Sequence, residues 1–99
     1  MYLDQYMDQL QDLCQQYNVK TLYSIASVLT DSFNEESDID LVVDIDSDNP
    51  IEYAENYFNL KFALQDLFNR KIDLLESKAI KNSYFKENID KSKHLIYTK

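Results

Sequence analysis

The sequence has no glycine and no tryptophan, and its 99 residues include one proline, one cysteine and one histidine. Cys14 has no partner for an internal disulfide and should behave as a small buried hydrophobic residue on a helix face. The single His94 can build neither a histidine metal site nor a Ser-His-Asp arrangement, and we expect it to be exposed. These absences exclude a disulfide framework and two common kinds of histidine-based site.

Long apolar runs are also missing from the chain. No stretch approaches the length of a membrane span, and Met1-Tyr2-Leu3-Asp4 lacks the basic start and apolar core of a secretion signal. A lone thiol suits a reducing compartment. We therefore expect a cytoplasmic chain that makes no contact with a membrane.

Positive charge is scarce, since ten lysines and arginines face 18 aspartates and glutamates, for a net charge of -8. Such a surface repels the phosphate backbone of DNA or RNA, so we expect no direct nucleic-acid binding. An acidic surface fits a basic protein partner, and it fits plain solubility equally well.

The remaining composition is that of a globular protein, with 44% hydrophobic and 13% aromatic residues. Residues 1–99 are enough for one domain with one core, folding alone or as a small oligomer. They leave no room for a second, substrate-binding domain, so we expect another molecule to hold any acceptor substrate.

Two carboxylates, Asp38 and Asp40, stand one residue apart at the start of an apolar run that is typical of a buried strand. Residues i and i+2 of a strand share a face, which places their Cα atoms roughly 6.5 to 7 Å apart and suits a shared divalent cation. The alternative is that both aspartates are exposed polar residues at the start of a strand and have no functional role. Asp44 and Asp46 share this parity, but Asp44 would lie roughly 13 Å from Asp40 along the strand. Both are predicted to be solvated turn residues.

Hydrophobic periodicity predicts alternating helices and strands. The order α-β-α-β-α-β-α gives an α/β fold in which a small mixed sheet of about three strands is flanked by helices. Asn18 and Asn69 are expected to end helices, the first because asparagine tolerates the left-handed conformation. The predicted helices cover residues 2–17, part of 27–36, about 50–68, and a segment starting between 78 and 82; the predicted strands cover 19–25, 39–45 and 71–75.

Two of these helices have defined apolar faces in the sequence. The helix before the third strand should pack a broad face across the sheet, and the last helix should pack a narrower one. The broad face consists of Tyr53, Ala54, Tyr57, Phe58, Leu60, Ala63, Leu64, Leu67 and Phe68, and the narrower one of Ile80, Tyr84, Phe85 and Ile89.

A strand ending in Ala26-Ser27, a short connection, and Ser37-Asp38-Ile39-Asp40 on a second strand resemble the core signature of DNA polymerase beta-type nucleotidyltransferases. The resemblance is closest to minimal nucleotidyltransferases, the MntA-like antitoxins encoded beside HEPN-domain toxins. In that family the first strand ends in Gly-Ser, the second carries Asp-x-Asp, and a third supplies another aspartate, which is here Asp73 in Lys71-Ile72-Asp73-Leu74-Leu75. The likeness spans nearly the whole chain.

The resemblance implies Mg²⁺-dependent transfer of a nucleoside monophosphate, most often AMP from ATP, with Mn²⁺ able to substitute. Asp38, Asp40 and Asp73 would hold two Mg²⁺ ions, and Asp73 would help to deprotonate the attacking hydroxyl. Ala26 and Ser27 would bind the nucleotide phosphates near the start of a short helix, where Ser27 could also be the N-cap. For Asp73 an exposed position at a sheet edge is the alternative, although its apolar neighbours favour a central strand.

The sequence departs from the family pattern at Ala26, where the family has glycine. An added methyl group can strain such a turn or block close approach to a phosphate, and no glycine elsewhere can take over that task. The connection after Ser27 also lacks an arginine that many relatives carry.

Two functions remain open at this point. The first is a protein adenylyltransferase that modifies a hydroxyl of a HEPN-domain ribonuclease toxin and serves as its antitoxin. The second is a binding module of the same fold with impaired catalysis, which neutralises its partner by contact. Transfer to an aminoglycoside or another small molecule is less favoured, because relatives with that activity carry extra substrate-binding structure.

Overall fold

A computed structural model describes residues 2–25, 39–79, 87 and 93–99. Helices and strands alternate along the described chain. In chain order they are a 3-10 helix, Tyr2–Tyr6; helix α1, Met7–Gln16; strand β1, Val19–Ser24; strand β2, Ile39–Ile45; helix α2, Pro50–Phe68; strand β3, Ile72–Glu76; a second 3-10 helix, Ser77–Ala79; and strand β4, His94–Thr98. No helix of the described residues is long and apolar enough to cross a membrane.

The described strands form one mixed sheet in the order β3-β2-β1-β4. Strand β1 runs antiparallel to both β2 and β4, whereas β2 and β3 are parallel. The predicted α/β architecture is confirmed, but the sheet has four strands rather than about three. The fourth strand was missed because Leu95-Ile96-Tyr97 is a short β-prone run whose strand character comes from pairing with β1.

One further difference concerns a helix. The predicted helix over residues 2–17 begins as a 3-10 helix and becomes α-helical only at Met7. The helix predicted within residues 27–36 lies outside the described residues, as does most of the last predicted helix, including its inner face at Ile80, Tyr84, Phe85 and Ile89.

The core lies between the two helices and one face of the sheet. Ile39, Leu41, Val43 and Ile45 alternate along β2 and are fully buried, in one cluster with Leu10 of α1 and with Leu60 and Leu64 of α2. Because side chains alternate across a strand, Asp40, Val42 and Asp44 lie on the opposite face of the sheet. The sequence pattern of β2 therefore separates a packed face from the face that carries its aspartates.

Asparagines set the ends of the helices in this chain without glycine. The side chain of Asn49 accepts hydrogen bonds from the backbone N–H groups of Ile51 and Glu52, which caps the start of α2. Asn69 ends α2 in the left-handed conformation, with φ 52° and ψ 43°, and Asn18 follows α1 with φ 59°. The prediction that Asn18 and Asn69 end helices is confirmed.

Helix α2 packs only part of its predicted apolar face. Leu60, Leu64 and Phe68 are buried, but Ala54 and Phe58 are exposed, so the broad-face prediction is wrong for those two residues. At 100° per residue, positions 54 and 58 point away from the stripe through 60, 64 and 68. The helix contacts the sheet through one stripe and leaves the other side to solvent.

Candidate active site

Asp40 and Asp73 lie side by side on neighbouring strands. The parallel register of β2 and β3 pairs Ile39 with Ile72 and Asp40 with Asp73. Adjacent strands are about 4.8 Å apart, and paired residues point to the same face. The fold therefore brings together two carboxylates that are 33 positions apart in the sequence.

This pair lies on the face of the sheet opposite α1 and α2. Asp40 is partly buried and Asp73 is exposed, while their neighbours Ile72 and Leu74 are packed in the core. The prediction of a central strand for Asp73 is wrong, because β3 is at the edge of the sheet that the described strands form. Its apolar residues are explained by packing against α2 on one face.

Three other predicted site residues, Ala26, Ser27 and Asp38, lie outside the described residues. In the part of the chain that is described, no three Asp, Glu, His or Cys side chains are grouped so as to hold a metal ion. The convergence of Asp38 with Asp40 and Asp73 stays a prediction.

The acids farther along β2 are engaged by lysines. Lys78 Nζ lies 3.6 Å from an Asp44 carboxylate oxygen, and the Asp44 side chain is one-fifth exposed. Asp44 lies in β2, so its assignment as a solvated turn residue is wrong. Asp46 is exposed and pairs with Lys99 at 2.9 Å, and a hydrogen bond from Lys99 lowers the pKa of its carboxyl group. Both ion pairs lie beyond the Asp40–Asp73 pair along β2.

Tyr57 of α2 anchors the strand that carries Asp73. Its hydroxyl donates a hydrogen bond to the backbone carbonyl of Leu74, the residue after Asp73. Burial raises the pKa of Tyr57, and the nearby negative charges of Glu76 and Asp73 raise it further, so the hydroxyl stays protonated as a donor. This role could not be predicted from the sequence, because an aromatic residue at helical spacing is usually a core residue.

The Asp40–Asp73 pair has the chemistry of a magnesium site. Mg²⁺ prefers oxygen ligands and is commonly held by one or two carboxylates together with phosphate and water. Two like charges directly opposite each other on adjacent strands repel, and a divalent cation would remove that repulsion. Of the two carboxylates, Asp73 is the one exposed to solvent.

The family comparison decides how this geometry is interpreted. Residues 8–99 match the family described as "Polymerase beta, Nucleotidyltransferase". The chain belongs to this family. The match covers both aspartates of the pair and all strands of the described sheet.

A relative of this nucleotidyltransferase occurs in Methanocaldococcus jannaschii. It carries the name "Putative protein adenylyltransferase" and is 36% identical over 81 residues, which cover 82% of this chain and 78% of the relative.

Solved structures share the fold. A "putative minimal nucleotidyltransferase" superposes with a TM-score of 0.76 at 19% identity, covering 94% of this chain and 91% of that one. A toxin-antitoxin structure with AMP-PNP gives a TM-score of 0.71 at 14% identity, over 94% and 73% of the two chains. A complex of tri-AMPylated HEPN toxin with MNT antitoxin from Shewanella oneidensis gives 0.56 at 14% identity, over 94% and 70%.

Proposed function

We propose that this chain transfers AMP from ATP to a hydroxyl group of a HEPN-type partner protein and thereby acts as an antitoxin. The observation that carries the proposal is the in-register pairing of Asp40 with the exposed Asp73 in a nucleotidyltransferase-family chain. The naming of a 36% identical relative as a protein adenylyltransferase supports AMP as the transferred group. The toxin-antitoxin complexes of the same fold support the kind of partner.

The chemistry at the pair follows from its charges. Bound Mg²⁺ would neutralise charge on the phosphates and on the leaving pyrophosphate. Asp40 and Asp73, with Asp38 if it joins them, would hold the metal. The acceptor oxygen attacks the α-phosphorus, the bond to the β-phosphate oxygen breaks, and pyrophosphate leaves. Asp73, which is exposed, would receive the proton of the acceptor hydroxyl.

The surface of α2 supports binding of a protein partner. Ile51, Phe58 and Phe62 are 71%, 53% and 59% exposed. At 100° per residue the three lie within about 20° of one line along the helix, and we call them the α2 apolar stripe. Contiguous exposed apolar residues commonly mark interaction sites.

The charge around the stripe favours a basic partner over a second copy of this chain. Glu55 and Asp66 are exposed on the same side of α2, and the whole chain has a net charge of -8. Two copies would repel each other, whereas a basic partner surface would be attracted. We therefore propose that a HEPN-type partner contacts the α2 apolar stripe, a surface on the side of α2 that faces away from the sheet and from the Asp40–Asp73 pair.

The test is co-expression with a HEPN protein encoded beside this chain, followed by size-exclusion chromatography and intact mass measurement. The proposal expects a stable complex in which the partner gains the mass of one or more adenylyl groups. The Asp40→Asn variant should give the complex without the added mass. A partner that stays unmodified with the wild-type chain and ATP would contradict the transfer reaction.

A contact-only antitoxin is the second candidate, and Ala26 is the observation that favours it. The family has glycine at this position, where a methyl group can hinder approach to the phosphates. A complex that neutralises the toxin with no added mass, for wild type and Asp40→Asn alike, would select this alternative.

A further inference from the structure

One row of residues crosses the whole described sheet at the level of the carboxylate pair. Asp73 pairs with Asp40, and the backbone N–H of Ile25 donates to the Asp40 carbonyl at 3.1 Å. Ser24 pairs with His94 on its other side, so the next residues, Ile25 and Lys93, are neighbours too. Lys93 thus lies two strand spacings from Asp40, about 10 Å between Cα atoms.

The side chain of Lys93 is held on the same face as the carboxylates. Its Nζ lies 4.3 Å from the centroid of the Tyr23 ring. Tyr23 pairs with Val42, which shares its face of β2 with Asp40. A cation over an aromatic face is attracted by the ring's quadrupole, so Tyr23 orients the ammonium group toward this side of the sheet.

We propose that Lys93 binds the phosphates of the nucleoside triphosphate, with Tyr23 as its positioning residue. This inference rests on the proposed function and adds a residue that the Gly-Ser and Asp-x-Asp pattern does not contain. Lys93 neighbours Ile25, directly before the Ala26-Ser27 segment to which the family resemblance gives phosphate binding.

Few cations lie near the carboxylate pair in the sequence. No lysine or arginine occurs between Lys20 and Lys61, so neither β2 nor the segment before it supplies a cation to a triphosphate. Among the described lysines, Lys78 and Lys99 pair with Asp44 and Asp46, away from the Asp40 row. A lysine ammonium is a common phosphate ligand and carries three hydrogen-bond donors.

Lys71 is the alternative candidate for binding the phosphates. It lies two positions before Asp73, has the same strand parity, and is exposed. Its place is on the β3 side of the carboxylates, away from the end of β1. The experiment therefore compares the two lysines directly.

The measurement is ATP binding in the presence of Mg²⁺ by titration calorimetry, at several salt concentrations, with folding checked by circular dichroism. Lys93→Gln should weaken ATP binding by roughly tenfold or more, the effect of losing one charge-assisted hydrogen bond. It should also reduce the salt dependence of binding, because one screened charge pair is gone. Lys93→Arg should restore most of the affinity, and Tyr23→Leu should weaken binding less than Lys93→Gln.

Lys20→Gln is the matched control, since this exposed lysine makes the same charge change at the far end of β1. It should leave ATP binding unchanged. An unaltered affinity in Lys93→Gln, or a loss confined to Lys71→Gln, overturns the inference and leaves the proposed function standing. A wild-type chain that binds no ATP overturns both together.

Discussion

At the level of single residues, the pairing of Asp40 with Asp73 sets two like charges against each other on adjacent strands. Such an opposition costs up to about 1 kcal/mol in a sheet unless a cation binds between the two groups. A cation bound between the two carboxylates, as proposed above, would offset this repulsion.

Asp40→Asn and Asp73→Asn should each abolish or sharply weaken Mn²⁺ binding, measured by electron paramagnetic resonance with Mn²⁺ in place of Mg²⁺. Asp73 is exposed, so Asp73→Asn should leave the thermal stability of the metal-free chain close to that of wild type. Asp12→Asn makes the same charge change on the exposed side of α1 and should bind Mn²⁺ like wild type. Wild-type affinity in both site variants would refute the metal site.

Cys14 gives a prediction for alkaline pH. Burial raises the pKa of its thiol from 9.0 to about 12. The folded chain holds this proton more tightly than the unfolded chain, so the stabilising contribution is complete below pH 9.0 and is lost as the pH rises toward 12. The slope is about 1.4 kcal/mol per pH unit between the two pKa values.

The free energy of unfolding, measured by denaturant titration across this pH range, should therefore fall more steeply for wild type than for Cys14→Ala. Comparing the two chains cancels the ionisation of the tyrosines, which both contain. Parallel curves for the two chains would show that the thiol titrates equally in the folded and unfolded states.

The position of a residue could be predicted from the sequence where it depends on local structure, but not where it depends on contacts between distant segments. The prediction that Asp38 and Asp40 share a face follows from the strand period alone, and the parity of Asp40 is confirmed by the burial of Ile39 and Leu41 on either side. The position of Asp73 depends on pairing between β2 and β3 across the whole of α2. Local sequence does not encode that register, and the apolar neighbours of Asp73 wrongly favoured a central strand.

At the level of elements, α2 is defined by its two caps. The Asn49 side chain satisfies two backbone N–H groups at its start, and Asn69 takes the left-handed conformation at its end. Asn69→Ala should lower the free energy of unfolding by about 1 to 2 kcal/mol, because a Cβ without a local hydrogen-bonding group is unfavourable at positive φ.

Asn69→Gly is the matched control for this prediction. Glycine adopts positive φ without strain, so its stability should stay within about 1 kcal/mol of wild type. Both variants are compared by chemical denaturation. Equal stability of the alanine and glycine variants would mean that the left-handed conformation contributes nothing at this position.

The exposed side of α2 gives a prediction about partner binding. The Phe58→Ser, Phe62→Ser double variant should keep the fold, since both side chains are more than half exposed. It should weaken the complex with the HEPN-type partner by at least tenfold, as expected when aromatic residues are lost from the centre of an interface. Surface plasmon resonance with immobilised partner measures this affinity.

Leu95→Ser is the control for the stripe, because Leu95 is 46% exposed on β4, away from α2. It should bind the partner like wild type. An equal loss of affinity in both variants would show that any exposed apolar-to-serine change weakens binding. Wild-type affinity in the double variant would show that the partner binds a different surface.

The ends of the helices could be predicted from the sequence, but the residues of α2 that face the sheet could not all be identified in this way. Asn18 and Asn69 act through local backbone geometry, so their effect can be read from the sequence. Phe58 is apolar whether it faces the core or a partner, and the hydrophobic pattern alone assigned it to the core. The pattern of α2 therefore contains two apolar faces, of which the sheet covers one.

At the level of the whole molecule, the two faces of the sheet differ. One face packs against the helices, and the other carries charged side chains. The helices cover the face with Leu41 and Val43, and the opposite face carries Asp40, Asp73 and Lys93. This row of two negative side chains and one positive side chain is the basis of the proposed site for a metal-bound triphosphate. The sequence indicated the family, but the row exists only through the strand order β3-β2-β1-β4.

The measurement that tests nucleotidyl transfer most directly is incubation of this chain and its HEPN-type partner with Mg²⁺ and ATP labelled at either the α- or the γ-phosphate. Transfer of AMP requires label from the α-phosphate on the partner and none from the γ-phosphate, and Asp73→Asn should lower the rate at least ~100-fold, since metal polarisation contributes several kcal/mol. Label from the γ-phosphate on the partner, or no label from either position, would contradict the account.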